Sequence, residues 1–110
     1  LTPVLLNMLE NPVTVHFQHR WFAFVPLVLA GALWFRIHAT GAAALFQISI
    51  GACLFLVALQ IALGIAVIVM QVPAALASIH QGMAVAIFMV ALLLVFLTRD
   101  SDLSSATGRP

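Results

Sequence analysis

Charge is what this chain has least of: 6% of its 110 residues are charged, with four arginines, three acids and no lysine, for a net charge of +1 with His neutral. Without a basic cluster, binding to a nucleic-acid backbone has no electrostatic footprint. A single cysteine, Cys53, excludes an internal disulfide framework and a multi-cysteine zinc site. The chain opens at Leu1 without a methionine, and without the basic start, short apolar core and small-residue cleavage site of a secretory signal peptide. It is therefore expected to be a processed or truncated chain with further spans upstream. What is present instead is apolar surface. At 65% hydrophobic residues, too little polar area remains to cover a water-soluble globule, and collagen-like and disordered readings fall with it. The partner implied by composition is the lipid bilayer.

A membrane helix needs about 20 apolar residues, and three such stretches follow one another at 13–35, 42–69 and 74–97. The first is interrupted by His16, His19, Arg20 and Pro26. The second, the longest, carries Gln47, Ser49, Gln60 and Gly64, and the third ends at Thr98, Arg99 and Asp100. The expected fold class is all-α and integral to the membrane, with three transmembrane helices forming part of a four-helix bundle. Residues 1–12, where Pro3, Asn7 and Glu10 interrupt the leucines, read as an outer-side loop or short interfacial helix; 13–99 form the transmembrane domain, and 100–110 a flexible inner-side tail. Arg36 and His38 lie between the first two spans, and Arg99 and Arg109 follow the third, whereas the leading segment and the turn at 70–73 hold no Lys or Arg. Positive charge marks the inner side, so the amino end is placed outside, the carboxyl end inside, and the first and third spans run parallel.

Pro12 and Pro73 each stand where a span begins, a position that makes no use of the N–H that proline lacks. Seven residues after each comes a histidine, so His19 and His80 both lie about 9 Å inside the outer end of their helices at 1.5 Å per residue. Ionisable groups inside a bilayer are unfavourable and turn toward the bundle interior or a cavity. His19 shares a stripe with Ala23, Pro26 and Ala30, and His80 with Ala77, Ala84 and Ala91, which leaves room beside each ring. Two readings stay open on spacing alone. The pair ligates a metal, or the iron of a flat porphyrin held edge-on between the helices; or each ring makes an ordinary interhelical hydrogen bond. Zinc would want three or four ligands, and only His16 is near enough to help.

The remaining polar residues have two-sided readings as well. Arg20 either pairs with a carboxylate such as a haem propionate or snorkels outward to the interface. His16 falls at the headgroup level or the cofactor edge, and His38 reads as solvated in the inner loop. Gln60 and Gly64 share one helical face and read as an interhelical hydrogen bond with a close backbone approach. Cys53 reads as a small apolar filler, and Trp34 as part of the inner aromatic belt.

At these residues the chain resembles the carboxyl-terminal half of heme A synthase, a membrane enzyme family that oxidises the C8 methyl group of heme O to a formyl group. The resemblance is carried by Asn11-Pro-Val-Thr-Val-His-Phe-Gln-His19-Arg20, by Gln60-Ile-Ala-Leu-Gly64-Ile, and by Pro73 followed by His80-Gln81-Gly-Met-Ala84. It covers nearly the whole chain. It implies eight spans in two similar four-helix halves, each with a histidine pair near the outer face; the first half takes the substrate heme O and the second a heme b. Carried over, His19 and His80 become the bis-histidine axial ligands of that b-type haem in a haem-binding bundle, with Arg20 beside it as a cofactor-binding residue. The missing amino-terminal half, or another copy, would supply the fourth helix. In the family's first half a glutamate precedes the His-Arg pair by three residues; the corresponding place here holds His16, and the loop cysteine pair of some members is absent. No catalytic residue is therefore assigned to this segment. The resemblance also implies the bacterial plasma membrane or mitochondrial inner membrane, with heme O synthase and cytochrome oxidase assembly factors as partners.

Two functions of other classes compete with this one. A membrane cytochrome b subunit would hold the same haem and pass electrons without modifying it. A cofactor-free structural subunit would use His19 and His80 only for hydrogen bonds, and would purify colourless and without iron.

Overall fold

The computed structural model describes residues 2–108. Thr2 opens a short helix, α1 (Pro3–Glu10), by accepting the Leu5 N–H at its hydroxyl. Asn11 then serves two helix ends. Its N–H closes α1 on the Asn7 carbonyl, and its Oδ1 accepts the Val13 N–H at 3.0 Å to start α2 (Pro12–Phe22), with Pro12 in the first helical position. Pro26 has no N–H for the Phe22 carbonyl, and its ring crowds that oxygen. The first span accordingly breaks at Ala23 and resumes as α3 (Phe24–Ala39).

Gly41, at φ +63°, turns the chain into α4 (Ala44–Val69). A tighter turn over 70–73 leads into α5 (Ala74–Thr107). In that turn Gln71 and Val72 both adopt left-handed backbone, φ 61° and 59°. Their N–H groups close the end of α4 on the Ile68 and Val67 carbonyls. Pro73 is the residue that caps α5 from outside, one place before the first-turn position that its sequence context predicts.

Three segments are long and apolar enough to cross a membrane: Pro12–Ala39, Ala44–Val69 and Ala74–Ala106. No strand occurs among the described residues. The chain is an all-α integral membrane protein, as its composition implies. The inner end differs from expectation. A flexible tail is predicted over 100–110, yet α5 stays helical to Thr107, where Gly108 closes it in left-handed backbone. The physical reason is local: neither proline nor glycine interrupts the segment before Gly108, and the hydroxyls of Thr98, Ser101 and Ser105 find acceptors within the helix, on carbonyls three residues back. Arg109, one of the arginines that set the predicted orientation, lies outside the described residues.

The packing centre is α4, which lies between α3 and α5. Its stripe of Ser49, Ile50, Cys53 and Val57, at helical spacing, is buried; Leu27, Trp34 and Ile37 pack on it from α3, and Ile87, Val90 and Leu94 from α5. Cys53 is the small apolar filler that its position predicts. Most of the other large apolar side chains are exposed, including Phe55, Phe88, Met89 and Phe96. In water that surface would drive aggregation; in a bilayer it is the surface that the hydrocarbon requires.

Candidate functional site

Because the first span is broken at Ala23, its amino-terminal part behaves differently from its carboxyl-terminal part. α3 packs on α4, but among the described residues α2 comes within Cα packing distance of neither α4 nor α5. The backbones of α2 and α5 thus stand apart, and the His19 and His80 side chains approach each other across that gap. The rings of His19 and His80 stand 6.3 Å apart, centre to centre, with planes at 80°. Two metal–nitrogen bonds of about 2.0 Å each, continued to the ring centres, span roughly 6 Å. The separation therefore suits two imidazoles on opposite sides of one metal ion.

The two rings have different surroundings. His19 is exposed on α2, with His16 one turn outward and Arg20 next to it, both exposed as well. His80 is half-buried against α4. There Gln60 Nε2 donates to the His80 carbonyl at 2.9 Å, tying α4 to α5 at the level of that histidine. One turn on, a Cβ built at Gly64 would lie 3.1 Å from His80 Cε1. The glycine is what lets the imidazole lie against the helix backbone. Two buried polar atoms in this cluster lack a hydrogen-bond partner: His80 Nδ1 and Gln60 Oε1. A buried imidazole with an unanswered nitrogen is under-satisfied as a mere core residue.

The donor set narrows the choice of metal. Among the described residues no group of three or more His, Cys, Asp or Glu stands together, so the closed four-ligand shell of structural zinc is not provided. Iron in a porphyrin already has four equatorial nitrogens and asks the protein only for axial ligands, which two imidazoles supply. The chemistry of the pair fits that group.

Elsewhere the sequence reading and the structure diverge in detail. Gln60 and Gly64 do make an interhelical hydrogen bond and a close approach, as their spacing predicts, but both contacts are with His80 itself. A signal for this existed in the register: Gly64 lies five residues before α4 ends, and His80 six after α5 begins, so an antiparallel hairpin brings them level. His38 is exposed but not simply solvated. Its Nδ1 donates to the Trp34 carbonyl at 2.9 Å, and its ring lies 4.4 Å from that of Trp34.

The profile of the COX15-CtaA family, described as cytochrome oxidase assembly protein, matches residues 1–92. This chain belongs to that family. Its curated relatives include the heme A synthase of Bartonella henselae, 37% identical over 90 residues that make up 77% of this chain and 24% of the relative. Heme A synthase COX15 of Arabidopsis thaliana is 31% identical over 86% of this chain and 21% of its own length. The heme A synthase of Rhodospirillum centenum is 42% identical over 74% of this chain and 22% of its own. The chain thus spans about a quarter of the length of these relatives. No solved structure matches it at a significant level. The matched region includes His19, Arg20, Gln60, Gly64 and His80.

Proposed function

We propose that this chain is the carboxyl-terminal haem-binding part of a heme A synthase, and that His19 and His80 hold a b-type haem between the outer ends of the first and third spans. The observation that carries the reading is the ring pair 6.3 Å apart, contributed by two helices whose backbones, among the described residues, stand out of packing distance. When bound, the haem supplies a one-electron iron couple inside the membrane. The chain's own residues hold and orient it. His19 and His80 offer neutral imidazole nitrogens, Arg20 meets a propionate at the outer edge, and the small residues Ala23 and Ala77 beside the two rings leave room for the macrocycle.

The same reading assigns 1–12 to the outer surface, 13–99 to the haem-binding membrane domain and 100–110 to the inner side, in a bacterial plasma or mitochondrial inner membrane. A fourth helix, from the rest of the protein or from a second copy, seals the open side of the α2–α5 gap. Oxidation of the heme O methyl group, and contact with heme O synthase and cytochrome oxidase assembly factors, belong to the whole protein. No carboxylate lies between Pro12 and Thr98 to take part in that oxidation here. That same lack favours, as the second reading, a cytochrome b subunit that only carries electrons.

The product separates the two. Full-length protein expressed with a source of heme O should accumulate heme A, seen by pigment extraction and chromatography. A haem-loaded protein that leaves heme O unchanged would replace the first reading with the second.

A further inference from the structure

Gln60 does more than join two helices. Its amide meets His80 with its nitrogen on the His80 carbonyl, while its oxygen is buried and unanswered. On the same histidine, Nδ1 is buried and unanswered too. One atom is an obligate acceptor. The other is a donor in one of the two neutral tautomers, the one that leaves Nε2 free to ligate a metal. A buried acceptor without a donor and a buried donor without an acceptor, on two residues already tied at 2.9 Å, are each unfavourable alone and satisfied together.

We infer that Gln60 is the positioning residue of the His80 ligand, its Oε1 taking the Nδ1–H in the loaded site while its Nε2 keeps the His80 backbone in place. The inference rests on the haem reading of the histidine pair and deepens it. The consequence is electronic as well as steric. An acceptor on Nδ1–H sets the tautomer, holds the ring plane, and makes Nε2 the more basic, which favours the oxidised metal. Gly64 is the other half of the device. The Gln60 bond draws α5 toward α4 at this level, and only a residue without a Cβ leaves the ring in place there.

The test compares two substitutions in full-length, haem-loaded protein purified from membranes, read by redox titration of the haem bands. Gln60→Leu removes both hydrogen-bonding atoms. It should raise the midpoint potential, by an amount equivalent to up to about a tenfold change in the oxidised-to-reduced ratio, ~59 mV for one electron. It should also weaken haem retention by roughly 10–100-fold. Gln60→Glu keeps an acceptor at the same reach and should leave the potential at or below that of the unsubstituted protein. If the leucine variant does not accumulate, Gln60→Met serves in its place with the same expectation. A clamp with no bond to the ring predicts that the Glu and Leu (or Met) variants shift together, or that neither shifts, and either result overturns the inference. The parent reading fails separately, if the unsubstituted protein shows no low-spin bis-histidine spectrum to titrate.

Discussion

At the scale of single residues, the site is a histidine made to lie against a glycine. With a Cβ at Gly64 falling 3.1 Å from His80 Cε1, any side chain must move the ring or part the helices. Gly64→Ala should therefore weaken haem retention and lower stability in detergent by about 1–3 kcal/mol, the usual penalty of overpacking; an unchanged thermal midpoint and unchanged haem content would contradict the contact. The approach of His19 to His80 was legible in the sequence because each follows the start of an apolar run by the same number of residues. The partnership of Gln60 and Gly64 with His80 was not, because patterns read along one helix say which residues share a face and not what the face meets. The hairpin register supplies that, and it is a property of two helices and their turn. Arg20 shows the remaining limit: an exposed arginine on α2 looks the same whether it meets a propionate or a lipid headgroup.

At the scale of elements, two breaks in the helical pattern place the histidines. Pro26 was visible as an interruption of the first span, but its effect lies a turn earlier, at Ala23, where the freed Phe22 carbonyl ends α2. Pro26→Ala should fuse α2 and α3, giving residue 26 a slowly exchanging amide bonded to Phe22, and should reduce haem retention by moving His19 away from His80. A helix that stays broken in hydrogen exchange, or that fuses with haem binding intact, would show that the break does not position the ligand. The second break is the turn before α5. Val72 is β-branched and held in left-handed backbone, which is unfavourable by roughly 1–2 kcal/mol for an L-residue. Val72→Gly should raise the thermal midpoint in detergent; a fall would mean that the valine side chain contributes more than the strain removes. The helical course of 100–107 was missed for a related reason: polar composition signals exit from the membrane, and it does not by itself end a helix that has no proline or glycine in the way.

At the scale of the whole molecule, three helices in a row leave most of their apolar surface uncovered. A bilayer meets that need on the outside, and the proposed further helix would meet it beside the α2–α5 gap. The distribution of the arginines predicts a carboxyl end on the inner side. With Cys53 replaced by alanine, Ser105→Cys should react with a membrane-impermeant maleimide only in inverted vesicles; labelling of intact cells would reverse the orientation and move the histidine pair to the inner leaflet. The architecture was readable from hydropathy because the solvent for this fold is lipid, and an apolar run of sufficient length has few other uses. The proposed function turns on the approach of the first and third spans through two imidazoles. The most direct test is the reduced-minus-oxidised spectrum of the full-length protein with His19→Ala and, separately, His80→Ala. Each substitution should abolish the low-spin b-type bands while the protein stays in the membrane. Unchanged bands in both variants would contradict the account.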